Sequence, residues 1–356
     1  MMAGALGRYA FLNAKLRTRL SAILTHDFFE ALLRAPSFPE AVQMLRETPF
    51  EFLEQTYRET GDLKTMELEL LRSEIRMHRE LERHVSGEPA ALLRSLTLWY
   101  EIHNLKSALR LWYGRRFGGR RAGTASAYIL RETIIHPLPI DEILEAESPG
   151  DIADSLSGTP YGTILREAAP EVESRRSLFP AEIALDQAFY ERLWTSVEQL
   201  RGRDRPVAAR LIGVETDIQN VQWLARFKGS YDLPRDQALG YLIPHGFNLD
   251  RKAAAELYSG GNAAEMISSF VKTRYPVLAS MLSGESGESL GRLSLVEAVL
   301  ARIRSTEVER ALMGYPFTVG VMLGYFFSKK EEIRKIITVL NARSYGLSED
   351  RVRQAL

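Results

Sequence analysis

The chain of 356 residues contains no cysteine, which excludes disulfides, thiolate metal sites and cysteine nucleophiles together. Net charge is absent as well. The 46 Lys and Arg balance 46 Asp and Glu, so no global electrostatic pull toward nucleic acid or anionic lipid operates. The longest apolar run, Tyr315 to Phe327, covers 13 residues and holds two glycines, whereas a bilayer span needs about 20. Met1 to Asn13 does not read as a signal peptide, because Arg8 interrupts its apolar residues. None of the six histidines stands at metal-ligand spacing; His78 and His84 fall on different faces of one helix. They are expected to be ordinary surface or helix-end residues. A Gly-x-Ser-x-Gly elbow, a paired-aspartate metal box and a dinucleotide glycine fingerprint are all missing. The sequence therefore nominates no catalytic residue, no cofactor and no metal. Alternating strand patterns of useful length are missing too, and the chain is expected to be all-α.

What the sequence does contain is repetition. Glu101-Ile-His-Asn104-Leu-Lys, Asp217-Ile-Gln-Asn220-Val-Gln and Glu332-Ile-Arg-Lys335-Ile-Ile recur at spacings of 116 and 115 residues. Upstream, Leu45-x-x-Thr48-Pro-Phe50, Leu156-x-x-Thr159-Pro-Tyr161 and Phe270-x-x-Thr273-Arg-Tyr275 recur at 111 and 114. Before each lies a capping-box signal at the same offsets: Ser37-x-x-Glu40, Ser148-x-x-Asp151 and Asn262-x-x-Glu265. Each copy is therefore expected to start a helix at the same place. A period near 115 exceeds the roughly 20–50 residues of solenoid repeats and suffices for a small domain. Three tandem homologous helical domains are expected, over residues 1–122, 123–236 and 237–356. Their net charges are +4, −7 and +3.

Long amphipathic helices are expected over Met66–Val85, from Pro180 through Leu200, and from Ser294 through Ile303. Gly114–Gly123, Gly229–Pro234 and the Gly/Ser-rich Ser283–Gly291 read as connectors. The first carries Arg115, Arg116, Arg120 and Arg121 but follows no strand and lacks a P-loop ending. A solvated linker is the expectation, with a phosphate cradle as its alternative. Each recurring acid precedes an apolar run, such as Leu105–Leu109–Trp112. The acid is expected to pair with an arginine of a neighbouring helix or to favour a helix N-terminus. A contact offered by three equivalent domains to one partner is the alternative. Glu101, Asn104, Asp217, Asn220, Glu332 and Lys335 are thus the candidate structural or interface positions. The Tyr315–Phe327 stretch reads as a buried core helix rather than a membrane-facing patch.

Tyr9-Ala-x-x-Asn13-Ala-Lys15-x-Arg17, Leu105-Lys106, and Pro316-Phe317 through Tyr325-Phe326-x-x-Lys329-x-Glu331-Glu332-Ile333-Arg334 resemble the AC39 family, the C-type component of the archaeal and bacterial A/V-type rotary ATPase, homologous to the d-type component of the eukaryotic V-ATPase. The similarity runs in order along essentially the whole chain. Lys335-Ile336-Ile337 departs from it, standing where the family usually has an Asn-Leu-Arg type sequence. The resemblance implies three helical domains in a funnel around a pseudo-threefold axis. It implies a non-catalytic rotor part that links the central-stalk subunits, of D and F type, to the membrane proteolipid ring. Torque then couples ATP hydrolysis or synthesis to proton or sodium ion transport. A cytoplasmic location, peripheral to the membrane, and no nucleic-acid partner follow from the same resemblance. A helical scaffold of another assembly, retaining only the ancestry, is the alternative.

Overall fold

A computed structural model describes residues 2–117, 128–277 and 293–347, together with 349 and 352. Arg120, Arg121 and the Ser283–Gly291 loop lie outside the described residues, as does most of the tail after Leu347. Every regular element among the described residues is helical. In order the α-helices are α1 (Met2–Leu20), α2 (His26–Leu33), α3 (Phe38–Met44, followed by a 3-10 turn over Leu45–Glu47), α4 (Glu51–Thr60), α5 (Leu63–Glu82) and α6 (Glu88–Phe117). There follow α7 (Ile140–Glu145), α8 (Pro149–Ser155), α9 (Pro160–Arg175), α10 (Phe179–Gln199) and α11 (Asp204–Gly229). The last are α12 (Arg235–Gly240), α13 (Arg251–Ser259), α14 (Ala263–Arg274), α15 (Leu293–Met313) and α16 (Gly320–Ser344).

Local chemistry sets the recurring starts. Ser37 accepts from the Glu40 N–H at 3.4 Å, and Ser148 and Asp151 close a reciprocal box at 3.2 and 3.0 Å. Asn262 and Glu265 do the same at 3.0 and 3.1 Å. Helices α3, α8 and α14 begin at the residue after each cap, because a side-chain acceptor satisfies an N–H that the first turn leaves orphaned. Thr48 and Thr159 share a second device. Each donates its hydroxyl to the carbonyl three residues back, at 2.6 and 2.8 Å, and accepts from the N–H two residues on. Thr273 departs from the pattern and lies inside α14. The long helices α6, α11 and α16 start at 88, 204 and 320, equally spaced by 116.

The chain packs as two compact units: a mid-chain unit of residues 64–196, and a two-segment unit of 1–63 with 197–356. In the mid-chain unit α6 is buried on almost every side, through Leu92, Leu96, Leu105, Ala108 and Trp112. A helix with no wide polar face belongs in a core. Trp112 Nε1 donates to the Ala146 carbonyl at 2.8 Å. Helices α8 and α9 approach closely at Gly162, where a Cβ would stand 2.7 Å from the Leu156 carbonyl oxygen. Helix α6 also runs through Gly114 to Phe117, so Arg115 and Arg116 end a helix and do not open a linker. Tertiary burial of Trp112 extends the helix past a glycine whose cost is only about 1 kcal/mol.

In the two-segment unit α1 buries Tyr9, Leu12 and Leu16 and packs against α16. Leu12 and Leu16 each contribute on the order of 1.5–3 kcal/mol of burial. The Tyr9 hydroxyl donates to Asp204 Oδ2 at 2.6 Å, while Asp204 Oδ1 accepts from the Val319 N–H at 2.9 Å. One buried carboxylate thus ties the starts of α11 and α16 to α1. Val319, Val321, Leu323, Tyr325, Phe326 and Phe327 are buried, so most of the apolar stretch is core helix.

Candidate functional site

The six candidate positions lie on the long helices α6, α11 and α16. On α6, Glu101 is fully buried. Its Oε2 accepts from the backbone N–H groups of Ile135 and His136 at 2.6 and 2.7 Å. Its Oε1 accepts from the Tyr161 hydroxyl and meets His136 Nδ1, both at 2.7 Å. A carboxylate has no proton to give, so Nδ1 is the protonated nitrogen of that imidazole. One turn on, Asn104 donates through Nδ2 to the Leu130 carbonyl at 2.8 Å and accepts at Oδ1 from the Leu130 N–H at 2.9 Å. The acid and the amide together pin the chain segment 130–136 to the helix.

Helix α11 repeats the device. Asp217 accepts from the Asn248 and Leu249 N–H groups at 2.6 and 3.1 Å. Asn220 grips both backbone groups of Ile243 at 2.8 and 2.9 Å. The fit depends on Gly246, since a methyl group there would overlap Asp217 Oδ1 and stand 2.7 Å from the Leu249 carbonyl oxygen. Burial pushes the Asp217 carboxyl up to about 7, against the pull of the backbone N–H donors.

On α16 the acid is kept and the amide is lost. Glu332 Oε1 accepts from the Leu24 N–H at 2.7 Å, and Oε2 from Lys329 Nζ at 2.8 Å. Leu24, Ile135 and Leu249 follow the offsets of 111 and 114, so the three acids hold equivalent backbone positions. Phe50, Tyr161 and Tyr275 are equivalent too. Tyr161 gives Glu101 its hydroxyl proton and Tyr275 accepts from Asn248 at 3.0 Å. Phe50 has no hydroxyl; Lys329 lies 4.0 Å over its ring and supplies the donor. Lys335 makes no backbone clamp. It rests 5.6 Å over the Phe29 ring, and burial lowers its pKa.

The clamps run in cyclic chain order. Glu101 holds the segment opening the second copy, Asp217 the segment opening the third, and Glu332 returns to the first. Among the described residues none of the acids finds the expected arginine. Arginine pairing occurs elsewhere: Arg210 with Glu307, and Arg304 with Glu215, each at 2.6 and 3.1 Å. Burial opposes the Glu215 charge, but Arg304 and Lys330 outweigh it and hold its carboxyl below the usual range.

With these recurrences in place, the comparison with known proteins is decisive. A family model described as ATP synthase (C/AC39) subunit matches residues 12–355. The chain belongs to this family. Among C/AC39 relatives, the A-type ATP synthase C subunit of Methanosphaera stadtmanae is 23% identical over 353 residues, covering 98% of this chain and 87% of the relative. That of Halobacterium salinarum is 25% identical over 374 residues, covering 100% and 99%. The V-type ATP synthase C subunit of Thermus thermophilus is 24% identical over 357 residues, covering 97% of each. As a C/AC39 chain it has no described helix long and apolar enough to cross a membrane. No described group of His, Asp and Glu is arranged to hold a metal ion.

Two histidines have roles that spacing does not reveal. His78 is fully buried beside Thr97 at 2.9 Å, and burial lowers its pKa to about 3. Thr97 gives its hydroxyl proton to the Leu93 carbonyl, so His78 Nδ1 donates to Thr97. His136 serves the Glu101 clamp. The sequence signal for the clamps is the Asn three residues after two of the acids, since i and i+3 share a helix face.

Proposed function

We propose that the chain is a non-catalytic rotor subunit of an A/V-type ATPase or synthase. In this reading it joins central-stalk subunits of D and F type to the membrane proteolipid ring, and so passes torque between nucleotide chemistry and ion transport. The observation that carries the reading is the family match over nearly the whole chain, with relatives named as C subunits of A-type and V-type ATP synthases. The internal geometry supports it. Residues 1–122, 123–236 and 237–356 are taken as three helical domains in a funnel around a pseudo-threefold axis. Each long helix anchors the opening of the following copy through buried backbone clamps. A coupler must resist twisting, and clamps made by buried carboxylates and amides at 2.6–3.1 Å limit elastic loss, because an opened clamp leaves buried groups unpaired. The six candidate positions are accordingly anchors that hold the domains in register. A cytoplasmic position, peripheral to the membrane, follows from that role.

The experiment is depletion and add-back in inverted membrane vesicles containing the rotary complex. Without the chain, ATP hydrolysis by the headpiece is expected to continue while ion pumping is lost, and the purified chain restores pumping. Pumping that persists in the depleted vesicles refutes the role and leaves a helical scaffold of another assembly.

A further inference from the structure

The mid-chain unit contains an open cavity of about 1200 Å³, walled by α5, α6, α10 and the start of α9. Arg79, Arg83, Arg94 and Arg192 line it against two acids, Glu82 and Glu191. The cavity is therefore cationic inside a unit where residues 64–196 hold 17 Lys and Arg against 20 Asp and Glu. Arg83 and Arg192 are exposed and have no ion-pair partner among the described residues. Arg94 lies 3.8 Å from Glu82. Between the charges the wall is apolar, with Leu98, Ile164 and Phe189.

In the two-segment unit the counterpart of Arg94 has a buried carboxylate partner. Helices α6 and α11 begin 116 residues apart, which makes Arg94 the counterpart of Arg210. Helices α10 and α15 begin 114 apart, which makes Leu193 the counterpart of Glu307; both are buried. Arg210 grips Glu307 through two bonds, and α11 packs directly on α15. Leu193 has no acceptor to offer, and Arg94 lines the cavity with only the longer 3.8 Å approach of Glu82 beside it.

We propose that this cavity docks an acidic amphipathic helix of a partner polypeptide. Its Glu or Asp side chains give Arg94 and Arg192 the carboxylate that Glu307 gives Arg210 internally, and its apolar face lies on Leu98, Ile164 and Phe189. The size fits. A helix about 10 Å across, rising 1.5 Å per residue, fills roughly 1200 Å³ with about ten residues, whereas small-molecule sites run about 300–1000 Å³. Helix-in-groove binding joins an apolar stripe to flanking charge in this way. The inference rests on the cavity and not on the coupling role, so either can fail alone.

The test places the photocrosslinking residue p-benzoylphenylalanine at Ala91 or Ile164 of the full chain in its native membranes, and sequences the crosslinked peptides. A segment with acids spaced three or four residues apart is expected from both positions. Arg94→Glu with Arg192→Glu should lower the crosslink yield about tenfold, and Lys substitutions at the partner's acids should restore it. Both arginines are exposed, so thermal unfolding should stay unchanged, and Arg94→Gln with Arg192→Gln should lower the yield in the same direction. Crosslinks to lipid or to a segment without acids, no crosslink from either position, or a yield indifferent to charge reversal overturns the proposal.

Discussion

Asn104→Ala tests the clamp argument most directly. The side chain is 4% exposed and makes both of its bonds, 2.8 and 2.9 Å, to the backbone of Leu130, itself 1% exposed. Removing it leaves a buried N–H and a buried C=O without partners, at about 1–3 kcal/mol each, so local opening of the segment becomes easier by about 2–6 kcal/mol. At about 1.4 kcal/mol per factor of ten, hydrogen exchange of the Leu130 amide should accelerate by about 30-fold to about 20,000-fold. The assay is amide exchange by NMR or mass spectrometry on the full chain, with Leu130 compared against α6 amides near Leu96, which should not change. Asn104→Asp keeps the acceptor for the N–H but sets a carboxylate oxygen against the Leu130 carbonyl, so it should open the segment at least as much. Asn220→Ala should produce the same local effect at Ile243. An acceleration below about fivefold at Leu130 would refute the claim that the amide holds the segment in place.

Three further outcomes follow from the same structure. His78 has a folded pKa near 3 against about 6.5 unfolded, so its stabilising effect is complete above pH 6.5 and lost as pH falls toward 3; a His78→Gln chain should show a shallower acid limb in urea unfolding, by on the order of 5 kcal/mol. Asp217 runs the other way, because its carboxyl is raised to about 7: its contribution is greatest below about pH 4 and declines as pH rises to 7. Carboxyl carbon NMR should show its titration near 7, and a midpoint below 5 would contradict the dominance of burial there. Gly246→Ala should destabilise the chain by about 1–3 kcal/mol through the overlap with Asp217 and the Leu249 carbonyl, read as a lowered urea midpoint; an unchanged midpoint would show that the close approach is not needed.

Local sequence determined the helix starts. Ser37, Ser148 and Asn262 act on N–H groups within the next turn, and an interaction that spans three residues is legible wherever those residues stand. Family membership was legible as a resemblance, because the motifs at 9–17, 105–106 and 316–334 stand in the family's order along the chain. Only the tertiary structure decided what the recurring acids hold. Their partners are backbone N–H groups 31 to 35 residues downstream, or 308 upstream for Glu332. Every residue but proline carries such a donor, so no residue type announces it. Burial of His78 likewise depends on Thr97 and the packing of α5 against α6, which a six-residue histidine spacing does not encode. The cavity was hidden most thoroughly. Arg94 lines it while its counterpart Arg210 is held by Glu307, and Leu193 in place of that acid gains its meaning only when the two folded units are compared.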